Sequence, residues 1–354
     1  MTADRDTTEP APTLRASKQA FLSAAQNDDP EAFGRLVDPY RAQLHAHCYR
    51  ILGSHADADD AMQETLLRAW RGLQRLEQET ALRAWMYRIA TNTCLRLIER
   101  RPKRILPIDY APAADPHGYP GDPVSEQLWV EPYPDLQLGL EDPSGPHARY
   151  ERHEAIELAF IAALQHLPPR QRAVLVLRDV LGFSAKETAE ILETSPVSVD
   201  SALQRAHKTV DERLPSRTEQ ATLRQLGDSE LSELVGRFVA AWERNDVDAV
   251  ISMLAQEAHL TMPPLPSWYR GRSDIAVFLR GHALSAAKRW RMAPTSANGQ
   301  PAVAGYLWDE RSQRFTPYCL YVLRLRGAEI EEITAFVTPE AFARFGLPSA
   351  IGSR

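Results

Sequence analysis

Between Arg83 and Arg104, seven Lys/Arg residues stand against a single acid, Glu99, with Trp85 and Tyr87 interleaved among them. That composition suits opened nucleic acid, because cations hold phosphates while aromatic faces accept unstacked bases. Arg88, Asn92 and Arg96 recur every fourth residue, so on a helix they form one basic line. Trp85 and Ile89 share another stripe of that helix, which leaves Trp85 two readings, core residue or base platform. Upstream, the run from Asp57 to Trp70 is acidic first and apolar later, as a helix with acids at its N-terminus prefers. Its Ala61, Leu66, Leu67 and Trp70 read as core, leaving the polar side chains on the outside.

A second chemistry-bearing group lies downstream. Ser184-Ala-Lys-Glu187 reads as a capping box, and after a break at Glu193-Thr194 a new helix starts at Ser195-Pro196. Short helix, tight turn and second helix make a helix-turn-helix. Val199, Leu203, Ala206, Val210 and Leu214 face the core by spacing, so Ser198, Ser201, Gln204, Arg205 and Lys208 share the outer face, where they can reach DNA.

The elements that must position these residues divide the chain. The N-terminus, 1–17, is polar and expected to be disordered. Residues 18–104 read as helices, with Gly53 ending one and Pro102 ending the last. Residues 105–150 hold nine prolines, four glycines and eight Asp/Glu against one base, Arg149, and so predict an extended acidic linker. Its apolar island, Leu128 to Leu136, either docks on a partner or covers the protein's own apolar surface. A second helical domain spans 151–215, a polar linker 216–228, and a third domain 229–347. That last part opens with an amphipathic helix and continues with strands at Ala258–Met262, Ala302–Asp309, Phe315–Arg326 and Glu329–Phe336, with a helix at Ser273–Leu284 between the first strand and the rest. The fold class expected is multidomain: two all-α domains followed by an α+β cone.

The net charge of −6 argues against nucleic-acid binding only until its distribution is considered, because much of the acid sits in the linker and the base in the helices. No apolar run approaches the roughly 18 residues of a membrane span, and the polar start, with Asp4, Asp6 and Glu9, predicts a cytoplasmic protein with no membrane partner. Three cysteines, Cys48, Cys94 and Cys319, are too far apart for a CxxC site and odd in number, so buried thiols are the default. His45, His47 and Cys48 resemble a ligand cluster in one dimension, yet residues two apart on a helix point to different faces. No metal and no cofactor is therefore expected.

The run Asp57 to Trp70, followed by Trp85-Met-Tyr-Arg-Ile-Ala-Thr-Asn92 and a basic end, resembles region 2 of the extracytoplasmic-function (ECF) sigma factors of bacterial RNA polymerase. The usual form there is close to DAEDLVQETFLRAW, then WLYRIARN. Ala61-Met62 and Thr93-Cys94 depart from that pattern while staying apolar. The resemblance implies a sigma factor whose partners are core RNA polymerase and promoter DNA. It assigns Asp57, Asp60, Gln63, Glu64 and Arg68 to the polymerase clamp. It assigns the connection Arg75 to Ala81 to a pocket for a flipped −10 base, with Trp85, Tyr87, Arg88, Asn92, Arg96, Arg100 and Arg101 along the −10 strand. The helix-turn-helix, through Ser198, Ser201, Gln204, Arg205 and Lys208, would read the −35 element, with Arg205 and Gln204 donating to base edges. The Trp129 to Asp135 island resembles linker motifs of sigma factors that carry a similar C-terminal domain.

Phe238 to Asp246, Tyr269-Arg-Gly-Arg272 and Ile333-Thr-Ala-Phe336 resemble SnoaL-like members of the nuclear-transport-factor-2-like (NTF2-like) superfamily. That cone often encloses a pocket, here with Met262, Trp268, Tyr269, Trp290, Tyr306, Trp308, Tyr318 and Phe336 as lining candidates and His259, His282 and Asp309 as polar ones, so a small ligand in this domain is one expectation. No catalytic spacing stands out, and fold does not imply function; the domain is expected to regulate and the chain not to be an enzyme. The competing reading is an NTF2-like enzyme or ligand sensor fused to a DNA-binding region, acting as a one-component transcription regulator.

Overall fold

A computed structural model describes residues 13–76, 78–125, 128–138, 156–214 and 219–352. Four helices form the first body: α1 (Thr13–Gln26), α2 (Pro30–Leu52), α3 (His55–Gly72) and α4 (Leu82–Ile98). The first begins ahead of residue 18, so part of the segment expected to be disordered is helical. Local chemistry fixes the joints. Asp29 caps α2 by accepting from the Glu31 and Ala32 amides at 2.9 and 3.1 Å. Gly53 ends α2 in the left-handed region (φ 70°) and donates to Tyr49 O, and Ser54 then caps α3 through the Asp57 amide at 3.1 Å. A Cβ at Gly53 would stand 2.9 Å from the Gln165 side chain, so the turn also sets how close the second helical body approaches.

That second body contains α5 (Leu158–Gln165), α6 (Pro169–Leu175) running on through a wide turn to Val180, α7 (Ala185–Leu192) and α8 (Pro196–Asp211). Both halves of the Ser184/Glu187 capping box are made, and Ser195 caps α8. Val199, Ala206 and Val210 are buried as their spacing predicts, while Leu203 and Leu214 are only partly covered.

The C-terminal part is a six-stranded sheet in the order β2-β1-β6-β5-β4-β3, built from β1 (Leu254–Thr261), β2 (Trp268–Arg270), β3 (Trp290–Ala297), β4 (Gln300–Asp309), β5 (Arg314–Arg326) and β6 (Glu329–Phe336). All neighbours are antiparallel except β1 and β6. Helices α9 (Glu219–Glu243), α10 (Val247–Ser252) and α11 (Gly271–Phe278) complete it. Leu234, Phe238, Trp242, Val303 and Tyr321 fill the core on one side of the sheet, while Ala302, Ala304, Tyr306, Leu320, Val322 and Phe336 pack into the core of the helical bodies. The sheet is thus a wall shared by two cores.

Three expectations are corrected. Residues 216–228 are not simply a linker: α9 starts at Glu219, with Glu219, Gln220 and Thr222 buried, and Gly227 (φ 78°) bends it into its second half. The described parts of 105–150 are packed rather than extended. Leu106, Trp129, Val130, Tyr133 and Leu138 are buried, and Ile105 pairs with Trp129. Apolar burial outweighs the prolines' bias toward extended chain, which favours the reading in which the island covers the protein's own surface. Residues 139–155 lie outside the described residues. Finally, Leu67 is 52% exposed and not core.

Candidate polymerase and nucleic-acid surfaces

A cleft of about 1090 Å³ gathers most of the residues expected at the −10 strand: Arg75, Trp85, Arg88, Asn92 and Arg96, together with Arg68 from the proposed clamp face. Its far wall belongs to the second helical body and includes Pro168, Arg170 and Glu193, which the sequence reading did not single out. Trp85 is half-buried and keeps a surface on the cleft, a position compatible with either of its readings. Arg96 sits below the ordinary arginine value, through partial burial first and then the neighbouring Arg68 charge. Crowded cations over an aromatic edge have the chemistry to attract a polyanion and stack its bases.

Tyr87 does not join them. It is fully buried, edge-on to Phe183 of the second body at 5.3 Å and to His47 at 5.1 Å. Arg83 lies over the Phe183 ring at 4.3 Å and donates to Leu181 O at 3.0 Å. The helix predicted to hold DNA therefore has a third face, packed on the second body, that helical spacing alone does not reveal. Arg88 reaches the same body through an ion pair with Glu193 at 2.6 Å. Glu193 ends α7 at φ 53°, a backbone usually left to Gly or Asn.

On α3, Asp60 and Gln63 are exposed, and Glu64 and Arg68, paired to each other, are partly so. Asp57 is not on that face. It is 5% exposed and held by Arg101 and by Arg104, whose Nη2 donates at 2.6 Å. Arg101 is tied to Asp57 and Asp60, the latter at 2.9 Å, which removes it from the set of cations open to DNA. Arg100 and Arg75 remain exposed. On α8, Ser198, Ser201, Gln204, Arg205 and Lys208 are all exposed, on the outer face assigned to them.

The linker island fastens these surfaces. Glu131 accepts from Ser54 Oγ at 2.7 Å and from the His55 and Ala56 amides, and pairs with Arg104 and Arg344, both at 3.3 Å. A carboxylate at the start of α3 is favoured by the free amides there. Asn298, in the β3–β4 turn, is fully buried. Its Oδ1 accepts from Tyr133 N, and its Nδ2 donates to Tyr49 Oη and Ile156 O, each at 2.8 Å. One side chain thus joins the first body, the linker, the second body and the sheet. Asp135 accepts from Gly299 N at 2.8 Å, and burial pushes its carboxyl up to about 6. Glu157 accepts from the Glu219 and Gln220 amides, starting α9 on the second body.

In the cone, the pocket candidates do not share one space. Met262, Tyr269 and Trp290 belong to the core under α9, whereas Tyr306 and Phe336 belong to the core on the opposite side of the sheet. His259 lies against Trp268, His282 stacks on Phe278, and Asp309 closes the β4–β5 turn by accepting from the Arg311 and Ser312 amides. His47 and Cys48 likewise part from His45: His47 bonds Thr91 Oγ1 at 2.8 Å inside the core. Cys48, Cys94 and Cys319 are free and buried.

Family models for sigma-70 region 2, sigma-70 region 4 and a SnoaL-like domain match residues 36–104, 157–210 and 235–339. The ECF RNA polymerase sigma factor SigG of Mycobacterium tuberculosis is 39% identical over 321 residues, covering 90% of this chain and 85% of the relative. The ECF RNA polymerase sigma factor SigE of Mycolicibacterium smegmatis is 29% identical over 218 residues, covering 60% of this chain and 72% of the relative. The crystal structure of the extracytoplasmic function sigma factor SigJ of Mycobacterium tuberculosis has the same overall fold, with a TM-score of 0.53 at 21% identity over 87% of this chain and 97% of that one. Among the described residues no helix is long and apolar enough to cross a membrane. Identity maintained across both helical bodies and into the cone, together with the three models in order, shows that the chain belongs to the ECF RNA polymerase sigma factor family and carries a SnoaL-like C-terminal domain.

Proposed function

We propose that this protein binds core RNA polymerase in the cytoplasm through the outer face of α3, with Asp60, Gln63, Glu64 and Arg68 as contacts. The −35 element is read by α8 in the major groove, and the opened −10 strand lies in the cleft of Arg75, Trp85, Arg88, Asn92, Arg96 and Arg100. Arg170 adds a cation to that cleft. The C-terminal domain acts as a regulator rather than as an enzyme. The observation that carries this reading is the closed contact across the cleft: Arg88 is paired with Glu193, and the Asn298 turn binds all the parts together. Two separated promoter elements are not held at once by bodies fastened to each other this closely, so initiation requires the closed form to open. A ligand in the cone gains no support from its scattered polar candidates.

Run-off transcription with core polymerase on promoter fragments from the source genome tests this. Full-length protein should direct initiation, and Asn298→Ala should do so more readily. If neither protein ever directs initiation at any promoter, the sigma reading fails.

A further inference from the structure

His45 on α2 and His55 and Asp59 on α3 meet away from both the cleft and α8. One ligand atom from each, a ring nitrogen of either histidine and a carboxylate oxygen of Asp59, all lie within 4.8 Å of one another. His45 Nε2 is 3.1 Å from Asp59 Oδ1, and His55 Nδ1 is 3.2 Å from Asp59 Oδ2. Each imidazole meets a different oxygen of the carboxylate; ligand atoms about 2.0–2.1 Å from a tetrahedral zinc ion stand about 3.3 Å apart, a spacing that rotation of the Asp59 carboxylate toward both rings would give.

The outer nitrogens of both imidazoles are engaged. His55 Nε2 lies 2.6 Å from Gln137 Oε1, an acceptor that suits the tautomer with its hydrogen on this nitrogen. His45 Nδ1 lies 2.8 Å from Tyr133 Oη. In the tautomers that donate to Gln137 and Tyr133, neutral His55 and His45 each turn a lone pair at the Asp59 carboxylate. Lone pairs facing a carboxylate at about 3 Å repel unless a proton or a metal cation lies between them. A ligating histidine whose other nitrogen is held by an oxygen acceptor is also the usual outer arrangement at metal sites. The imidazoles are well covered, with side-chain exposures of 14% and 4%, while Asp59 is half open, which leaves room for solvent on one side.

We propose that His45, His55 and Asp59 bind one divalent transition-metal ion of the zinc class, with water completing the coordination. Tyr133 and Gln137, which meet the imidazoles, both belong to the 105–150 linker. Metal loading and seating of the linker on the first body are therefore coupled, and the ion favours the closed arrangement.

The test is titration of the chelator-treated full-length protein with Co²⁺, read by visible absorption, followed by competition with Zn²⁺. One equivalent should bind with a nitrogen- and oxygen-type d–d spectrum lacking sulfur charge transfer. Asp59→Asn is close to isosteric at a half-exposed position and His55→Gln keeps a polar group; each should weaken binding at least tenfold. Gln137→Leu should weaken it about tenfold through loss of orientation. Zn²⁺ should raise the melting temperature of the wild type and leave Asp59→Asn unmoved, with circular dichroism confirming that the chelated variants are folded. No stoichiometric binding at micromolar metal, affinity unchanged in both ligand variants, or a thiolate-type spectrum would each overturn the assignment. The first outcome would leave protonated imidazoles paired to Asp59 as the account of the cluster.

Discussion

Replacing Asn298 by alanine should release the C-terminal domain from the sigma body. The side chain makes three buried hydrogen bonds of 2.8 Å, to Tyr133 N, Tyr49 Oη and Ile156 O, and its backbone sits at φ 57°. Each bond is worth about 1 kcal/mol net, and a left-handed alanine adds roughly 1–2 kcal/mol. The junction therefore loses about 4 kcal/mol, or about a thousandfold in its closing equilibrium. Amide hydrogen exchange reads this directly, because the Tyr133 N–H is itself donated to Asn298. Protection at Tyr133 and through the β3–β4 turn should fall by two to three orders of magnitude, while the core of α2 stays protected. Asn298→Gly removes the backbone strain but not the lost bonds, so it should recover only the smaller share. Exchange at Tyr133 within threefold of wild type in Asn298→Ala would show that the turn does not hold the junction.

Four other outcomes follow from the same geometry. Glu193→Gln should raise affinity for single-stranded −10 DNA by at most about fivefold, since an exposed pair is worth up to about 1 kcal/mol; fluorescence anisotropy showing no change in this variant and none in Arg88→Ala would remove the cleft from the DNA path. Burial first of all, opposed by the Leu325 amide, holds the Glu219 carboxyl up to about 8. Its stability contribution is therefore full below an unfolded value of about 4.5 and is lost as pH rises to about 8. Glu219→Gln should flatten that decline, by at most about 5 kcal/mol at pH 8, and urea melts with identical pH slopes would contradict it. Arg205→Ala should cost about 1–3 kcal/mol at the upstream promoter element while the variant still co-purifies with polymerase; loss of co-purification would contradict the assignment. Asp60→Lys with Glu64→Lys should abolish polymerase binding, and unchanged affinity would sink the clamp assignment.

The two helical bodies were readable because helix periodicity and end chemistry agree there: Gly53, Ser184 with Glu187, and Ser195 with Pro196 each mark a boundary the structure keeps. Burial within those helices was harder. Spacing separates an inner from an outer face relative to one core, whereas α4 meets two, so nothing in it signalled that Tyr87, which composition and resemblance put on DNA, is buried. Asp57 was misplaced for a related reason, since its partners Arg101 and Arg104 lie more than 40 residues away and no local pattern announces them. In the sheet, β2 is three residues long, and β3 contains Pro294, which weakens any strand reading and is tolerated because β3 is an edge. The linker's composition predicted an extended chain and gave no sign of the surface on which its described parts pack. His45, His55 and Asp59 converge only through the α2–α3 turn, so the His45-His47-Cys48 run drew notice in their place.

The double-sided burial of β4 and β5 has a further consequence. If the proposed opening occurs, Tyr306, Leu320, Val322 and Phe336 would lose their cover together, and a continuous apolar wall of the kind monomeric proteins seldom show would be turned to water. Such an open form would be adhesive, so its lifetime would depend on how quickly a partner covers the wall and not only on the strength of the closed contacts.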